Sequence, residues 1–554
     1  MPDILYIAST GVAAAQTAIN VTGQNIANVS SAGYVREKVS QTSAIVGQGT
    51  QVVAISRIYD QFLASQASSA ITSGSFSNIQ YGQIQSLNGI LTDPNAGVSP
   101  ALSNFFNALQ TVANNPADIA PRESALGAAK NLVSSVNYLQ KTIDNTNIDV
   151  NTQLTQSVAR INDYANQIVT LNKAILGTKD QSSLNTLKDQ RDAVITDLSK
   201  EIKVSVNQQG DQYLVSVGSG IPLLDSTRSF PMKVSSNPFN PVQIDVVISG
   251  TENSVFTSKN SPGGLIGGLV EFRDNILNPA SNKIGLVALG LATEVNVAQS
   301  KGRVDNGTAN GAAGDRLFLT GNILLSASDF NTGSTNLSVS FDTGTVGAPI
   351  SPEVNLKNIK SDDYTLKVVG GSTGYSVTNN TTGQSQTFNT SELVMDGFKI
   401  SITAPGLTVG DTFRISPTAN VARNLSLVTS DPRSIAAAGN DLPQSPFLSG
   451  DNRNMANLLA AQTNKNLNGG VNTLNSSFNQ FISSIGSQSY QLKVQSTFDQ
   501  TVMTKTSQAL DNYSGVNLDE EASNLIRYQQ AYQASGKVMQ IAKQMFDSLL
   551  NIAQ

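Results

Sequence analysis

Two stretches at opposite ends of the chain decide the fold: ILYIASTGVAAAQTAINVTGQNIAN, from Ile4 to Asn28, and LIRYQQAYQASGKVMQIAKQMFDSLLNIA, from Leu525 to Ala553. In both, apolar or neutral residues recur at steps of three and four, which is typical of a helix with a coiled-coil seam. The two series are Leu5, Ala8, Val12, Ala15, Ile19, Thr22, Ile26 and Leu525, Tyr528, Tyr532, Ser535, Met539, Ala542, Phe546, Leu549, Ala553. Such helices could pair with each other, leaving the rest of the chain as an insertion, or they could pair with another chain.

We expect the large residues of these two series to form an assembly interface, because burying one such side chain contributes about 1.5–3 kcal/mol. These residues are Leu5, Val12, Ile19, Ile26, Leu525, Tyr528, Tyr532, Met539, Phe546 and Leu549. An unpartnered terminal helix gains none of this stabilisation, so the same pattern predicts that the ends are frayed or disordered in the free monomer. Ordinary core helices of one globular domain would show the same periodicity, and that alternative stays open at this point.

The composition indicates a large protein with an uncharged polar surface. A chain of 554 residues corresponds to roughly three to four domains. Charged residues make up only 14% of it, against about 25% in ordinary domains, and a weakly charged surface tolerates self-association. The formal net charge of −5 argues against a nucleic-acid partner.

The chain contains no cysteine, no histidine and no tryptophan. Disulfides, thiolate metal sites and cysteine nucleophiles are therefore excluded, and the commonest general base is missing. The run Gly370-Gly371-Ser372-Thr373-Gly374 fits the pattern of a hydrolase elbow, but without a histidine a glycine-rich turn is the better interpretation. We predict no enzyme activity, no cofactor and no catalytic, cofactor-binding or metal site, and we interpret the acidic residues between 305 and 315 as a solvated loop.

The amino terminus does not resemble a cleaved secretory signal. Met1-Pro2-Asp3 is acidic, and polar residues interrupt the apolar stretch that follows. Nothing approaches 18 uninterrupted apolar residues, so we expect no membrane span and no membrane partner. These observations alone would favour a cytoplasmic protein.

The remaining periodicity predicts an α+β fold, in which long N- and C-terminal helices form coiled-coil and bundle domains and β-rich lobes are inserted mid-chain. Helical spacing covers 59–91, 99–115, 121–175, 263–300 and 471–510, whereas alternation predicts a hairpin at 204–217 and strands within 316–417. The predicted domains are 1–58 with 514–554 as a terminal coiled-coil domain, 59–203 with 430–513 as a helical bundle carrying helix 263–300, 204–262 as a small β element, and 316–417 as an outer β-rich lobe. Asn517 and Glu520 predict a capping box at the start of the last helix.

Several short runs resemble those of bacterial flagellar proteins. The runs Gly23–Asn28 and Ala32–Arg36 are similar to the N-terminal signature of flagellar axial proteins of the rod and hook type. Ser514–Glu521 and its continuation through Tyr528–Tyr532 to Phe546–Leu550 more specifically resemble the first hook-associated family, which joins hook to filament. The resemblance extends to about residue 200 and resumes at about residue 430. Supporting segments are Asp189–Asp192 and Gly450–Asn454.

The resemblance implies a structural flagellar subunit that forms a ring between hook and filament. Its implied partners are further copies of itself, the hook protein, the next hook-associated junction protein and a cytoplasmic export chaperone that binds the C-terminal region. It also implies export through the flagellar type III apparatus without a cleaved signal peptide, and therefore an extracellular location. The paired terminal helices would line the axial channel, with β-rich lobes facing solvent.

Two other classes remain open at this stage. One is a different axial protein of the hook or rod type, against which the long helical region 99–202 and the run Ser514–Glu521 argue. The other is a secreted β-lobed adhesin or enzyme anchored by its helices. That protein would keep its activity after removal of both termini, whereas a junction subunit would lose incorporation.

Overall fold

The computed structural model describes residues 2–43, 49–91, 97–248, 256–333, 337–342, 354–370, 374–403, 407–440 and 446–553. The chain begins and ends in long helices, and its strands lie between them, as the sequence predicts. The sequence also predicts a helix break at Asp93-Pro94-Asn95 and a turn at Gly47, and both lie outside the described residues.

The amino-terminal part is one helix and one hairpin. Helix α1 spans Pro2–Ala27, and strands β1 (Glu37–Ser43) and β2 (Thr50–Arg57) form an antiparallel pair. The hairpin packs along α1 around a small apolar cluster. That cluster consists of Ala18, Val21 and Val39, with Val52, Ile55 and Tyr528 packed against it.

Four helices follow and start the helical body. They are α2 (Gln61–Leu91), α3 (Val98–Asn114), α4 (Ile119–Gly177) and α5 (Gln181–Glu201). The apolar periodicity correctly predicts α3 and α4, and the buried side chains of α4 lie along its 59 residues at helical spacing. Phe105 is fully buried between Phe106 and Phe318, with ring centroids 5.2 and 5.8 Å away.

Two small sheets and two buried helices cover one side of this body. The strands are β3 (Val204–Gln209), β4 (Gln212–Val217), β5 (Ile221–Leu224), β6 (Met232–Asn237) and β7 (Asn240–Ile248). The predicted hairpin is β3–β4, where Gln209 pairs with Gln212 and Gly210 adopts φ +61°, as a two-residue turn requires. Helices α6 (Gly264–Phe272) and α7 (Asn278–Ser300) are joined by a π-helical turn, Arg273–Leu277.

The outer lobe has its own antiparallel sheets and its own apolar core. After β8 (Gly302–Val304), β9 (Ala312–Ala313) and β10 (Phe318–Leu319), the lobe strands are β11 (Leu324–Ala327), β12 (Leu337–Phe341), β13 (Tyr364–Gly370), β14 (Gly374–Asn379), β15 (Ser385–Phe388), β16 (Glu392–Met395), β17 (Phe398–Ile402) and β18 (Thr412–Ser416). They form one sheet in the order β11-β18-β13-β14-β15 and another in the order β12-β17-β16. Gly370 pairs with Gly374 across the β13–β14 hairpin, and Ser372 lies outside the described residues.

The chain then returns to the body and ends in helix. Short strands β19 (Ser426–Leu427) and β20 (Ala438–Gly439) precede α8 (Met455–Ala460), α9 (Leu474–Ser514) and α10 (Leu518–Ala553). Helix α9 runs antiparallel along α2: the Cα of Gly74 faces Met503, while Gly486 faces Asn88. Helix α10 packs against α1, which brings the two ends of the chain together.

Candidate assembly interface and the joint at its base

Small residues make the contact between α1 and α10. A Cβ atom added at Gly11 would lie only 2.8 Å from Oγ of Ser535, so the two backbones approach closely at this point. Ala8, Ala15 and Ala18 on α1 are buried, and so is Ala542 on α10. The terminal helices therefore pair within one chain, with small residues at the close approach of Gly11 and Ser535.

The large predicted interface residues are placed differently. Leu5, Tyr532, Phe546 and Leu549 are 48%, 40%, 56% and 45% exposed, so they do not fill a contact within the chain. The other six are half-buried: Val12, Ile19, Ile26, Leu525, Tyr528 and Met539. The close approach at Gly11 and Ser535 favours small side chains where α1 meets α10, so the large residues of both helices keep part of their surface exposed. Their contact with other subunits stays a prediction.

These exposed residues belong to a larger apolar surface, here called the terminal apolar surface. Its further members on α1 and α10 are Ile4, Tyr6, Ile7, Ile526, Val538, Ile541 and Met545, all more than a third exposed. An apolar surface of this extent indicates an interaction site, since single soluble chains rarely leave one uncovered. On length and composition alone, Ile4–Ala27 is apolar enough to cross a membrane, with a mean hydropathy of 1.3. In the structure this segment packs on α10 and on the β1–β2 hairpin.

At the base of the helix pair, a buried asparagine joins α1 to α10 and to the N-terminal loop, residues 28–36, with the first residue of β1. Oδ1 of Asn25 accepts hydrogen bonds from the hydroxyl of Tyr34 at 2.8 Å and the backbone N–H of Glu37 at 3.0 Å. Nδ2 donates to the carbonyl of Glu37 at 2.9 Å and to Oε2 of Glu521 at 3.1 Å. Asn25 is 1% exposed and uses all four of its hydrogen-bonding positions, so this cluster specifies one arrangement of the three segments.

Arg36 adds a second connection between the N-terminal loop and the start of α10. Its guanidinium pairs with Glu520, and its backbone N–H donates to the carbonyl of Ser514 at 2.8 Å. Asn517 does cap α10, since its Oδ1 accepts from the N–H of Asp519 at 3.0 Å. The predicted capping box is incomplete, however, because the carboxylate of Glu520 binds Arg36 rather than the backbone of Asn517.

A second cluster fastens this terminal part to α5 of the helical body. Arg57 at the end of β2 lies between two carboxylates, with Nε 2.6 Å from Oδ1 of Asp189 and Nη2 2.6 Å from Oδ2 of Asp192. Oδ2 of Asp189 also accepts from the N–H of Val35 at 3.2 Å. One turn earlier on α5, Nδ2 of Asn185 donates to the carbonyl of Ile55 at 3.1 Å.

Burial dominates the electrostatics of this second cluster. It raises the pKa of Asp189 to about 6, although Arg57 and the Val35 N–H act in the opposite direction. Burial also raises the pKa of Glu37, against the lowering effects of Asn185 and Arg57. The carboxyl groups around Arg57 thus outnumber the positive charge that faces them, and a proton on Asp189 or Glu37 stabilises the folded form.

Two further segments singled out in the sequence have structural roles in the body. Arg191 is fully buried, stacks on the ring of Tyr213 at 3.4 Å and donates to the carbonyl of Asp211 at 2.7 Å. Within the run Gly450–Asn454, Nδ2 of Asn454 donates to the carbonyls of Ala298 and Ala436. Both segments tie separate parts of the chain together.

The carboxylates of Asp305 and Asp315, the acidic residues of the 305–315 loop, accept hydrogen bonds from nearby backbone N–H groups. Oδ1 of Asp305 accepts from the N–H of Gly307, and Oδ1 of Asp315 accepts from the N–H of Arg316. Among the described residues, no group of three His, Cys, Asp or Glu side chains is placed to hold a metal ion. Our reasoning from sequence missed the joint of Asn25, Glu37, Arg57, Asp189 and Glu521, although four of these residues lie in or beside the runs Gly23–Asn28, Ala32–Arg36, Asp189–Asp192 and Ser514–Glu521.

Comparisons with known proteins agree with the geometry. Residues 84–318 match the family model of the flagellar hook-associated protein FlgK helical domain, and residues 507–552 match the C-terminal model of flagellar basal body rod FlgEFG proteins. The chain is 30% identical to flagellar hook-associated protein 1 of Salmonella typhimurium over 571 aligned positions, covering 100% of both chains. It is 28% identical to that of Escherichia coli K12, again covering 100% of both.

A solved structure shares the architecture. The flagellar hook junction protein FlgK from Burkholderia pseudomallei superposes with a TM-score of 0.71 at 25% identity, covering 80% of this chain and 99% of that one. The full-length relatives place the chain with hook-associated proteins rather than with hook or rod subunits. The chain therefore belongs to the flagellar hook-associated protein 1 family.

Proposed function

We propose that this chain is a structural subunit of the bacterial flagellum that assembles into a ring and joins the hook to the filament. The observation that carries the proposal is the terminal apolar surface, which a single chain leaves uncovered on a helix pair formed by its own two ends. In a ring or a stack of subunits, the neighbouring copies would cover this surface. The family relationship supports this role, because its members are named as hook-associated and junction proteins.

The residues proposed to carry the subunit contacts are the ten large side chains of the two helices, from Leu5 to Ile26 and from Leu525 to Leu549. Four of them are substantially exposed in the single chain, so each has apolar area left to bury against a neighbour. Burial of one such side chain contributes about 1.5–3 kcal/mol before the cost of ordering is subtracted. A few such contacts per subunit would hold a ring together.

We further propose the finer partners of such a junction. The ring would contact the hook protein on one side and the next hook-associated junction protein on the other. The exposed apolar residues of α10 would need cover before assembly, which fits a cytoplasmic export chaperone bound to the C-terminal region. The subunit would leave the cell through the flagellar type III apparatus without a cleaved signal and act outside it.

The same proposal assigns roles to the parts of the chain. Residues 1–58 with 514–554 would form the inner domain, and 59–203 with 430–513 and helix 263–300 the supporting bundle. The β element at 204–262 and the lobe at 316–417 would face outward. A separate apolar core in the lobe supports this division, since the lobe does not need the inner domain to bury its strands.

Electron microscopy of isolated hook fragments tests the role directly. Fragments are mixed either with the full-length chain or with a chain lacking residues 1–58 and 514–554. We expect a ring at one hook end with the full-length chain only. If neither chain binds, the junction role is wrong, and equal binding by both would refute the role of the terminal helices.

A double substitution tests the apolar contact without removing any segment. Val12→Asp with Leu549→Asp places one charge at a half-buried position of α1 and one on the terminal apolar surface, and we expect ring formation to be lost while the lobe stays folded. Val409→Asp is the matched control, because Val409 is 57% exposed in the outer lobe. A double variant that still completes a filament would show that the binding energy lies elsewhere.

A further inference from the structure

The joint at the base of the helix pair consists of two layers with different connections. The first layer, of Asn25, Tyr34, Glu37 and Glu521, holds α1 against α10. The second layer, of Arg57, Asp189 and Asp192, connects the end of the hairpin to α5. The two layers meet at the hairpin, where Glu37 pairs with Arg57, and in the loop before it, where the N–H of Val35 donates to Asp189. Among the described contacts, no side-chain hydrogen bond joins Asn25, Tyr34 or Glu521 to the three residues of the second layer, so that layer could open while Asn25 still holds α1 to α10.

We propose that Arg57, Asp189 and Asp192 form a latch that sets the inclination of the terminal helix pair on the helical body, an inference that rests on the proposed junction role. All three side chains are nearly buried, with the guanidinium of Arg57 only 8% exposed. A buried ion pair adds little net stability, since desolvation offsets most of the attraction. Its two close contacts instead fix a direction, because Nε of Arg57 meets Asp189 while Nη2 donates to Asp192.

The position of the latch on α5 supports a directional role. Asn185, Asp189 and Asp192 follow one another at steps of four and three, so they lie on one face of α5 and together bind the hairpin. The methyl of Ala193 lies beside Gly33, where an added Cβ would come within 3.3 Å. The hairpin is thus held along two turns of one helix, and rotation about that helix would change the inclination of α1 and α10.

A cleft beside the latch leaves room for such a rotation. This cleft has a volume of about 430 Å³ and is bounded by the N-terminal loop, α5 and the corner between α9 and α10. A second cleft, of about 440 Å³, lies between α7 and α9, away from the latch. The lining of the cleft beside the latch includes Tyr34, Asp192, Thr196, Leu510 and Ser514. Gly33, at φ +80°, lies in the loop on its rim and gives the backbone there a conformation that other residues adopt with strain.

The latch has a clear use in a joint between two assemblies. Hook and filament differ in subunit packing, so a ring between them needs a defined angle between the helices that it stacks and the body that supports its lobes. Releasing the latch would widen the range of angles without separating α1 from α10. The terminal apolar surface would keep its residues and its paired helices, but it would no longer face the neighbouring subunits at the correct angle.

Distance measurements between spin labels test the latch in the full chain. The chain has no cysteine, so single cysteines at the exposed positions Gln529 on α10 and Lys173 on α4 report the inclination of the pair on the body. Cysteines at Gln16 and Gln529 report the pairing of α1 with α10. Arg57→Gln removes the cation of the latch, Arg57→Lys retains a charge, and Arg433→Gln is the matched control, because Arg433 makes an exposed pair with Asp431.

We expect Arg57→Gln to broaden the 173–529 distance distribution at least twofold and to leave the 16–529 distribution unchanged. Arg57→Lys should recover part of the narrow distribution, and Arg433→Gln should match the parent chain. Unchanged 173–529 distances in Arg57→Gln would refute the latch. Broadening of both distributions would also refute it, because the cluster would then only stabilise the fold.

Incorporation into hook ends separates this inference from the proposed function. We expect Arg57→Gln to reduce ring formation about tenfold while the parent chain binds. Normal ring formation by a variant with broadened distances would refute the positioning role. Failure of the parent chain to bind hooks would contradict the junction role itself, whereas the distance measurements would still decide whether the latch orients the helix pair.

Discussion

The helical body and the terminal helix pair use similar helices in opposite ways. Helix α4 buries large apolar side chains along most of its length, so the chain itself covers its stripe. Of the described side chains of α10, only Glu521 and Ala542 are buried, and most of its large apolar residues are more than a third exposed. The body is stabilised by its own core, whereas the terminal pair is specified by a close approach of small residues and a polar joint and leaves its apolar surface exposed.

The same substitution in the two regions should give the largest contrast. Phe105→Ala opens a cavity in the body core, and we expect the free energy of unfolding of the body to fall by about 3–5 kcal/mol. Phe546→Ala removes a side chain that is 56% exposed, and we expect a change within about 0.5 kcal/mol in the isolated subunit. Denaturant unfolding followed by hydrogen exchange of α3 and α10 amides measures both. Equal losses in the two variants would contradict the contrast.

The polar joint should be the next most sensitive place. Asn25→Asp replaces the donor to Glu521 with a second carboxylate, leaving two buried acceptors facing each other. We expect the opening free energy at the base of α1 to fall by about 1–3 kcal/mol, as measured by exchange of the Glu37 amide. Asn28→Asp, at a half-buried position just after the end of α1, is the control and should change exchange little. An unaffected Asn25→Asp would show that the joint is not held by this cluster.

Protonation should strengthen the contact of the terminal pair with the body. The pKa of Asp189 is about 6 in the folded chain and near 4 when unfolded, and its neighbours are Arg57, Asp192, Glu37 and the Val35 N–H. Because the folded pKa is raised, this contribution to stability is fully present below about pH 4 and lost as the pH rises through about 6. Burial shifts the pKa of Glu37 in the same direction.

We therefore expect the opening free energy at the Val35 amide, corrected for intrinsic exchange, to increase between pH 7 and pH 5. Asp189→Asn carries a neutral amide at every pH and should flatten most of this dependence. Carboxyl groups whose pKa values are lowered, such as Asp225 and Asp451 at about 2, oppose the trend only at lower pH. A decrease between pH 7 and pH 5 would contradict the assignment.

The smallest effect is expected at the exposed edge of the joint. Glu520→Gln breaks an ion pair with Arg36 in which the Glu520 side chain is 55% exposed. Exposed pairs contribute about 0–1 kcal/mol, so we expect a loss below 1 kcal/mol in exchange of the first α10 amides. Glu521→Gln, at a buried position one residue on, should cost more. Equal losses in both variants would remove the distinction between edge and centre of the joint.

The sequence predicts the elements that depend on local periodicity. Helix α4 and the β3–β4 hairpin follow from apolar spacing and from one glycine turn, because burial of one face repeats along the chain. The α1–α10 contact is only partly predictable. Periodicity identifies large side chains such as Leu5 and Phe546 as interface residues. In the structure, the closest approach of the two helices is instead at the small residues Gly11 and Ser535.

The joint could not be derived from spacing at all. Asn25 and Glu521 lie 496 positions apart, and Val35 and Asp189 lie 154 apart, so no local period connects them. The expected fraying of the terminal helices in the free monomer also remains a prediction. Protected amides throughout residues 4–28 in dilute solution would contradict it.

The separate core of the outer lobe has an evolutionary consequence. Tyr364, Phe398 and Phe413 belong to that core, and half-buried Phe341 packs at the boundary with the body. The two matched family models cover 84–318 and 507–552 and end short of the lobe on either side. Because the lobe buries its own strands, its sequence can change without altering the core of the body, and we expect homologues to diverge fastest here. The lobe sequence can change most between homologues, provided that β11 and β18, where the chain enters and leaves the lobe, keep their pairing.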